Sequence, residues 1–405
     1  MKYLVILGDG MADVPCPALG GQTPLEAADK PHMDALAQNG TVGMARTVPE
    51  GMPPGSDAAN MAVMGFDPRK YYSGRSPLEA VALGVDLRPR DVTYRTNLVT
   101  LSDEPALKDR TMLDYSAGEI SNEDSSRLIG ALMPMFARHG LELHQGISYR
   151  HCAVRRDGET GALLTPPHDI SGRCVGDYLP KGRYAEEMTA LLEQAGALLS
   201  RHPVNQARIA AGKRPANSVW FWGEGTRPRF DSFQSLYRLR GGVVCAVDLI
   251  RGLGRCAGMR VVSPPGATGG MVTDYRAKAE AALRLLSEEN CDLVYIHIEA
   301  PDECGHQGDP KAKVAAIEAI DRDVVSRLAN ALGSMGEDFR ILLTPDHPTP
   351  LNIRTHTGDP VPFVIWDSRR PGSPSASRYT EALAQKTGLF LPEGPQLMRL
   401  LLDAD

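Results

Sequence analysis

Leu293-Val294-Tyr295-Ile296-His297-Ile298 is a short apolar run that passes directly into Glu299-Ala300-Pro301-Asp302-Glu303-Cys304-Gly305-His306. An apolar run ending in a polar, Gly-containing loop is how a strand buried on both faces looks. Two other runs have the same form: Tyr3–Leu7 leads into Gly8-Asp9-Gly10, and Arg340–Thr344 leads into Pro345-Asp346-His347. Helical patterns lie between them. Asp29-Lys30-Pro31 opens one with a cap residue and an early proline, and Gly40 closes it. Tyr275–Glu289, rich in Ala, Leu, Lys and Glu, is a second, and Lys311–Leu332 is a third. Strands alternating with helices imply an α/β domain around a mostly parallel sheet.

Outward from these elements the pattern changes. From about Asp86 to Gly241 the alternation weakens, and short polar segments with many arginines and aromatics take over. Proline- and glycine-rich pieces at Thr165–Pro167 and Lys213–Pro215 add loops. At 405 residues the chain exceeds one ordinary core. The expectation is a core domain of residues 1–85 and 242–405, with a smaller substrate-binding domain, 86–241, inserted into it.

A hydrophobic share of 42% and a charged share of 23% are those of a soluble globular protein. No apolar run has the length needed to cross a bilayer, and Met1–Leu7 is too short for a signal peptide. The seven cysteines, at 16, 152, 174, 245, 256, 291 and 304, include no Cys-x-x-Cys pair, which favours a reducing cytoplasm over a disulfide framework. A net charge of −6 with no basic stripe argues against a nucleic-acid partner, and no membrane partner is expected. An anionic substrate remains compatible, because bound cations and a few arginines reverse a local field. Nothing in the pattern sets an oligomeric state.

In an open α/β sheet, ligands bind beyond the carboxyl ends of the strands. All three apolar runs end there in metal-ligand types: Asp9 after the first, Asp302 and His306 after the second, Asp346 and His347 after the third. His356 follows in the loop Arg354-Thr-His-Thr-Gly358. Each alone is ordinary, since an Asp after a strand is usually a cap and an Asp-His pair usually a loop. Their co-location is what points to a metal centre. Carboxylate mixed with imidazole suits zinc or manganese, whereas magnesium prefers oxygen alone.

Pro53-Pro54-Gly55-Ser56-Asp57-Ala58-Ala59-Asn60-Met61 reads as a loop turning into a helix, with Ser56 as its cap. That serine is either a plain N-cap or a nucleophile. A helix N-terminus holds phosphate well, and a metal lowers the pKa of a bound hydroxyl. The residues alone leave both readings open.

The run Gly55-Ser-Asp-Ala-Ala-Asn-Met-Ala-Val-Met-Gly-Phe-Asp-Pro68, with Tyr72-Ser-Gly-Arg-Ser-Pro-Leu-Glu-Ala80, closely resembles the archaeal-type, cofactor-independent phosphoglycerate mutases of the alkaline phosphatase superfamily. The resemblance extends through Asp9-Gly10-Met11, Asp302–His306, Asp346-His347 and His356. It implies an alkaline-phosphatase-like, mostly parallel sheet sandwiched by helices, with a smaller inserted α+β domain. It also implies two divalent ions, manganese first and zinc as the alternative. Asp9, Ser56, Asp346 and His347 would hold one ion; Asp302, His306 and His356 would hold the other. Ser56 would carry the phosphoryl group between 3-phosphoglycerate and 2-phosphoglycerate while a hinged insert excludes water. In related mutases the insert supplies arginines and a histidine that hold the small phosphorylated substrate. Here Arg150, His168, Asn205 and Arg208 are the candidates, with Asp169 as general base.

Two departures stand against the pattern. Ser76 occupies a position where glycine is expected, and the core lysine of the longer bacterial mutases has no clear equivalent, Arg251, Arg255 and Lys278 being the nearest substitutes. Rival readings are a homoserine kinase of the same branch, a metal-dependent phosphatase, and a metal-binding protein without turnover. The absence of a Gly-x-x-x-x-Gly-Lys-Ser/Thr loop counts against the kinase without excluding it on this fold.

Overall fold

The computed structural model describes residues 1–370 and 376–403. The chain divides into two units, Met1–Tyr72 with Arg229–Asp405 and Ser73–Pro228.

The first unit is built on an eight-stranded sheet. Its order is Arg260–Val262, Gly241–Val244, Leu293–Ile298, Lys2–Gly8, Phe339–Thr344, Val361–Asp367, Thr41–Ala45 and Phe390–Leu391. The first five strands run parallel, as the unbroken apolar runs require. Val361–Asp367 is antiparallel to both its neighbours, and the edge pair is again parallel. Leu4, Ile6, Ile296, Ile341 and Leu343 are buried together with Ala282, Leu285, Ile317 and Leu328 from the covering helices. Each such leucine or isoleucine contributes about 1.5–3 kcal/mol by leaving water.

The central register decides where the candidate ligands lie. Lys2–Gly8 sits between the other two site-bearing strands, with Gly8 opposite Ile298 and Leu7 opposite Thr344. All three carboxyl ends therefore leave the sheet at one edge.

Some helix details differ from expectation. The helix Pro31–Asn39 is preceded by Lys30 rather than Asp29 as its cap, and the buried Lys30 amine bonds Asp34 at 2.5 Å. The segment read as one helix over Lys311–Leu332 is Pro310–Ile320 and Ser326–Ser334 joined by a π turn at Asp321–Val325. That turn carries Asp321, whose carboxylate accepts the backbone N–H groups of Met33 and His32 at 2.7 and 3.3 Å. One helix thus satisfies the open end of another.

The second unit spans 73–228 rather than 86–241. Helix Ser76–Ala82 belongs to it because Ala80 is buried against Cys152 and Val154 and Glu79 pairs with Arg95. At the other end, Gly241–Val244 is a strand of the core sheet, and Tyr237 before it donates to the carbonyl of Gly65 at 2.7 Å. Within the unit, Val92–Leu101 pairs antiparallel with Arg150–Arg155, Ser218–Thr226 and Met112–Asp114. Helices Asn122–Arg138 and Ala185–Leu199 cover it, burying Leu128, Leu132, Phe136, Leu191 and Leu192 with Phe221. Segregated helices on an antiparallel sheet make this an α+β unit. Among the described residues no helix is long and apolar enough to cross a membrane.

Candidate active site

At the shared sheet edge the first strand turns at Gly10, whose φ is +61° and whose N–H donates to Asp346 Oδ1 at 3.1 Å. A side chain there would start 2.6 Å from Asp302 Oδ1, so the turn needs glycine on both counts. Asp302 and His306 lie four apart on helix Ala300–Gln307, which puts them on one face, 3.1 Å between Oδ2 and Nε2. The loop after Thr344 delivers Asp346 and His347, and His356 returns with its Nε2 3.0 Å from that of His306. His356 also stands 3.5 Å from Asp302 Oδ1.

Helix Ser56–Val63 brings the serine. Its cap is Gly55 in extended conformation, with no side-chain cap bond, and Ser56 is the first helical residue. The expectation of Ser56 as the cap is corrected here, and the correction matters, because Oγ is not committed to the helix backbone. It lies 3.1 Å from His347 Nε2. That nitrogen is also 3.5 Å from Asp9 Oδ1 and 3.4 Å from Asp346 Oδ2. Asn60, one turn after Ser56, donates to Asp346 Oδ2 at 2.7 Å and accepts from the Tyr295 hydroxyl at 2.6 Å.

Ligand atoms of Asp9, Asp346 and His347 lie within 4.8 Å of one another, as do those of Asp302, His347 and His356. A third trio, Asp9, His297 and Glu299, meets the same criterion. Reading the strand ends alone misses His297 and Glu299. Their signal is a histidine that breaks an otherwise apolar strand, with Glu299 two residues on, the spacing that repeats a strand face. His297 Nε2 bonds Asp9 Oδ2 at 2.8 Å.

The electrostatics are strained. Burial, then the charges of Asp346, Glu299 and Asp302, pushes the Asp9 carboxyl well above its ordinary range. Burial likewise raises Glu299, to about 8. Burial opposes ionisation of Asp302 too, yet hydrogen bonds from His306 and His356 hold it well below the usual range. The same bond to Asp302 lifts His306 to about 9. Asp9 Oδ1 and Glu299 Oε2 are buried with no hydrogen-bond partner among the described residues. Of the substitutes considered for the core lysine, Lys278 is fully buried with Nζ 3.2 Å from the His297 carbonyl, and burial lowers its amine to about 8. Arg251 is instead ion-paired with Asp248 on its own helix.

The insert candidates separate into two groups. Asn205 is fully buried, its amide donating to Leu199 and Ala216 carbonyls and its oxygen accepting from Ala216 N–H. Arg208 is buried as well, bonding Asp124 at 2.9 Å and the carbonyls of Ala117 and Arg214. Both side chains are thus bonded inside the unit. Arg150, His168 and Asp169 are exposed. The His168 ring sits edge-on to Tyr115 and Trp222, at 6.1 and 5.2 Å between centroids. Its pKa is lowered by partial desolvation of the ring against its aromatic neighbours and by Arg75 and Arg95, against the pull of Asp169. Arg95 stacks on Trp222 at 4.2 Å and pairs with Glu79 at 2.9 Å without the alignment of a hydrogen bond. The sequence pattern does not single out Arg75, Arg95 or Trp222.

A family model described as 2,3-bisphosphoglycerate-independent phosphoglycerate mutase matches residues 37–205. A Geobacter sulfurreducens protein named as a probable enzyme of that kind is 47% identical over 100% of both chains. The chain belongs to this phosphoglycerate mutase family. A Methanothrix thermoacetophila mutase of the same name is 48% identical, over 99% of this chain and 100% of its own. A solved Pyrococcus horikoshii structure covers 99% of this chain and 96% of its own, with 30% identity and a TM-score of 0.82.

For a phosphoglycerate mutase of this family, the departure at Ser76 is benign. Ser76 is buried at the head of a helix and is not among the positive-φ residues, so nothing there demands glycine. Gly74 does need to be glycine: at φ +115° a side chain would begin 2.4 Å from the Glu224 carbonyl. The metal dependence implied by the resemblance can be tested on the side chains themselves. Orphaned buried carboxylate oxygens, the Asp9 and Glu299 carboxyls raised by burial and then by neighbouring acids, and two imidazole nitrogens facing each other at 3.0 Å all fit divalent cations.

Proposed function

We propose that the chain interconverts 3-phosphoglycerate and 2-phosphoglycerate without 2,3-bisphosphoglycerate, using Ser56 as nucleophile. One observation carries the assignment of Ser56: its uncapped Oγ stands 3.1 Å from His347 Nε2, beside both ligand groups. Asp9, Ser56, Asp346 and His347 would hold one divalent ion, and Asp302, His306 and His356 a second, manganese by preference and zinc as the alternative. Bound there, the ions would ease ionisation of the serine hydroxyl and offset charge on the phosphoryl oxygens.

The chain's own groups account for the rest. Ionised Ser56 Oγ attacks phosphorus in line, the bond from phosphorus to the C3 oxygen breaks, and that oxygen takes a proton from protonated Asp169, leaving glycerate with a free 3-hydroxyl. The C2 oxygen of the same glycerate then attacks phosphorylated Ser56, and the phosphorus–Oγ bond breaks to restore the serine. The positive end of helix Ser56–Val63 favours the transferred anion throughout. Asp169 takes the proton of the attacking C2 hydroxyl and returns it in the reverse direction. Arg150 is assigned the glycerate carboxylate and His168 a hydroxyl, because these remain exposed while Asn205 and Arg208 are consumed internally. All seven cysteines are free thiols, which supports a cytoplasmic setting.

The test is an enolase-coupled assay of the manganese-loaded chain with 3-phosphoglycerate and no bisphosphoglycerate. Turnover that EDTA abolishes is expected. No turnover, or turnover indifferent to EDTA, would overturn the reading.

A further inference from the structure

Thr349 stands between the two ligand groups and belongs to neither. It is fully buried, with Oγ1 2.5 Å from Asp302 Oδ1 and 3.3 Å from His347 Nδ1. We propose that Thr349 is a positioning residue that ties the groups together, its hydroxyl relaying a hydrogen-bond chain from His347 Nδ1–H to Asp302. This rests on the metal reading above.

The direction of the chain follows from counting protons. A hydroxyl has one hydrogen, and an ionised carboxylate only accepts, so at 2.5 Å the Thr349 proton belongs to Asp302. The oxygen's lone pairs then face His347 Nδ1, which must supply the hydrogen of the second bond. His347 is thereby held with its proton on Nδ1 and its lone pair on Nε2. Nε2 is the atom facing Ser56 Oγ at 3.1 Å and Asp9 Oδ1 at 3.5 Å. A partner on one ring nitrogen fixes which nitrogen is free to bind a cation.

The hydroxyl is held by its surroundings. The Thr349 carbonyl accepts from the buried Lys313 amine at 2.8 Å, and Lys313 is anchored by Asp13 at 2.7 Å. A side chain on Gly10 would begin 2.6 Å from Thr349 Oγ1, and one on Gly305 would begin 2.5 Å from its carbonyl oxygen. Two glycines and a buried ion pair thus leave room for one small residue carrying a hydroxyl.

Thr349→Val keeps the shape and removes the relay; Thr349→Ser keeps the relay. Calorimetric titration of the metal-free full chain with Mn²⁺ should show affinity falling about 10- to 100-fold in the valine variant and largely restored in the serine variant. Equal affinity in wild type and Thr349→Val overturns the proposal. Nitrogen-15 NMR of the metal-free wild type reads the tautomer independently of any variant's folding: a proton on His347 Nδ1 supports the relay, and a proton on Nε2 overturns it. Should the wild type take up no Mn²⁺, the metal reading fails on its own, and the tautomer still decides the relay.

Discussion

The core unit and the inserted unit both bury charged side chains, but they settle the charge differently. In the insert, buried Arg208 meets Asp124 and two carbonyls, buried Asp91 meets Arg156, and buried Arg95 meets Glu79. Each of these cations has its anion. At the sheet edge of the core, Asp9, Asp346, Glu299 and Asp302 are gathered with no lysine or arginine bonded among them, and two of their oxygens bond nothing among the described residues. A buried carboxylate without a partner costs several kcal/mol. Asp302 already has His306 and His356 beside it, so the folding liability lies with Asp9 and Glu299 unless something cationic arrives. The paired charges hold the insert together, and the orphaned carboxylate oxygens at the sheet edge are suited to a cation.

That contrast fails if the core cluster proves dispensable. Ser56→Ala should lower turnover at least ~10⁴-fold, as loss of a nucleophile does elsewhere. Mn²⁺ uptake measured by calorimetry should persist, because the carboxylates and imidazoles remain. Residual activity within tenfold of wild type would remove Ser56 from the mechanism.

The insert offers the converse test. Arg208→Ala leaves Asp124 and two carbonyls unpaired and should cost about 2–3 kcal/mol by denaturant unfolding. KM of the protein that stays folded should be unchanged. A raised KM at full stability would return Arg208 to the substrate. Arg150→Ala should do the opposite. Losing one charge-assisted contact, worth about 1.5–3 kcal/mol, should raise KM about tenfold to a hundredfold. Its unfolding midpoint should stay near wild type, since an exposed side chain carries little stability. An unchanged KM would sever Arg150 from the glycerate.

The same division governs how much the sequence makes legible. The three site-bearing strands are visible because an unbroken apolar run between turn residues fits little besides a strand buried on both faces, and a parallel register brings their ends to one edge. Asp302 and His306 are visible because a spacing of four is one helix face. Ser56 is visible too, but its neighbour Asn60, at the same spacing, passes for a routine helix residue. Thr349 and Tyr295 carry no signal in isolation, since their importance lies in what they touch. The insert is harder because no periodicity assigns a direction to polar residues in loops and short helices. Asn205 and Arg208 lie three apart on helix Pro203–Ala210, beside buried Val204. That spacing is the mark of an inward face, and the polarity of the residues conceals it. The boundary is displaced for a related reason: Ser76–Ala82 follows the Ser56 segment closely in sequence but packs with the insert.

The last test sits inside the core unit itself, away from the ligand groups. Glu381 accepts from the Thr23 hydroxyl at 2.7 Å and from the Asp13 N–H at 3.1 Å, and among the described residues no lysine or arginine bonds it. Burial pushes its carboxyl up to about 7, from an ordinary 4.5. A raised folded-state pKa means that the folded chain holds a proton the unfolded chain has lost. Its contribution to stability is therefore fully present below about pH 4.5 and is lost as pH rises through about 7. Glu381→Gln keeps a neutral side chain at every pH, so other titrating groups cancel in the comparison. The difference in thermal midpoint should favour wild type most at low pH and move toward the variant by neutrality. A difference that stays flat across that range would mean that Glu381 is ionised and compensated in the fold.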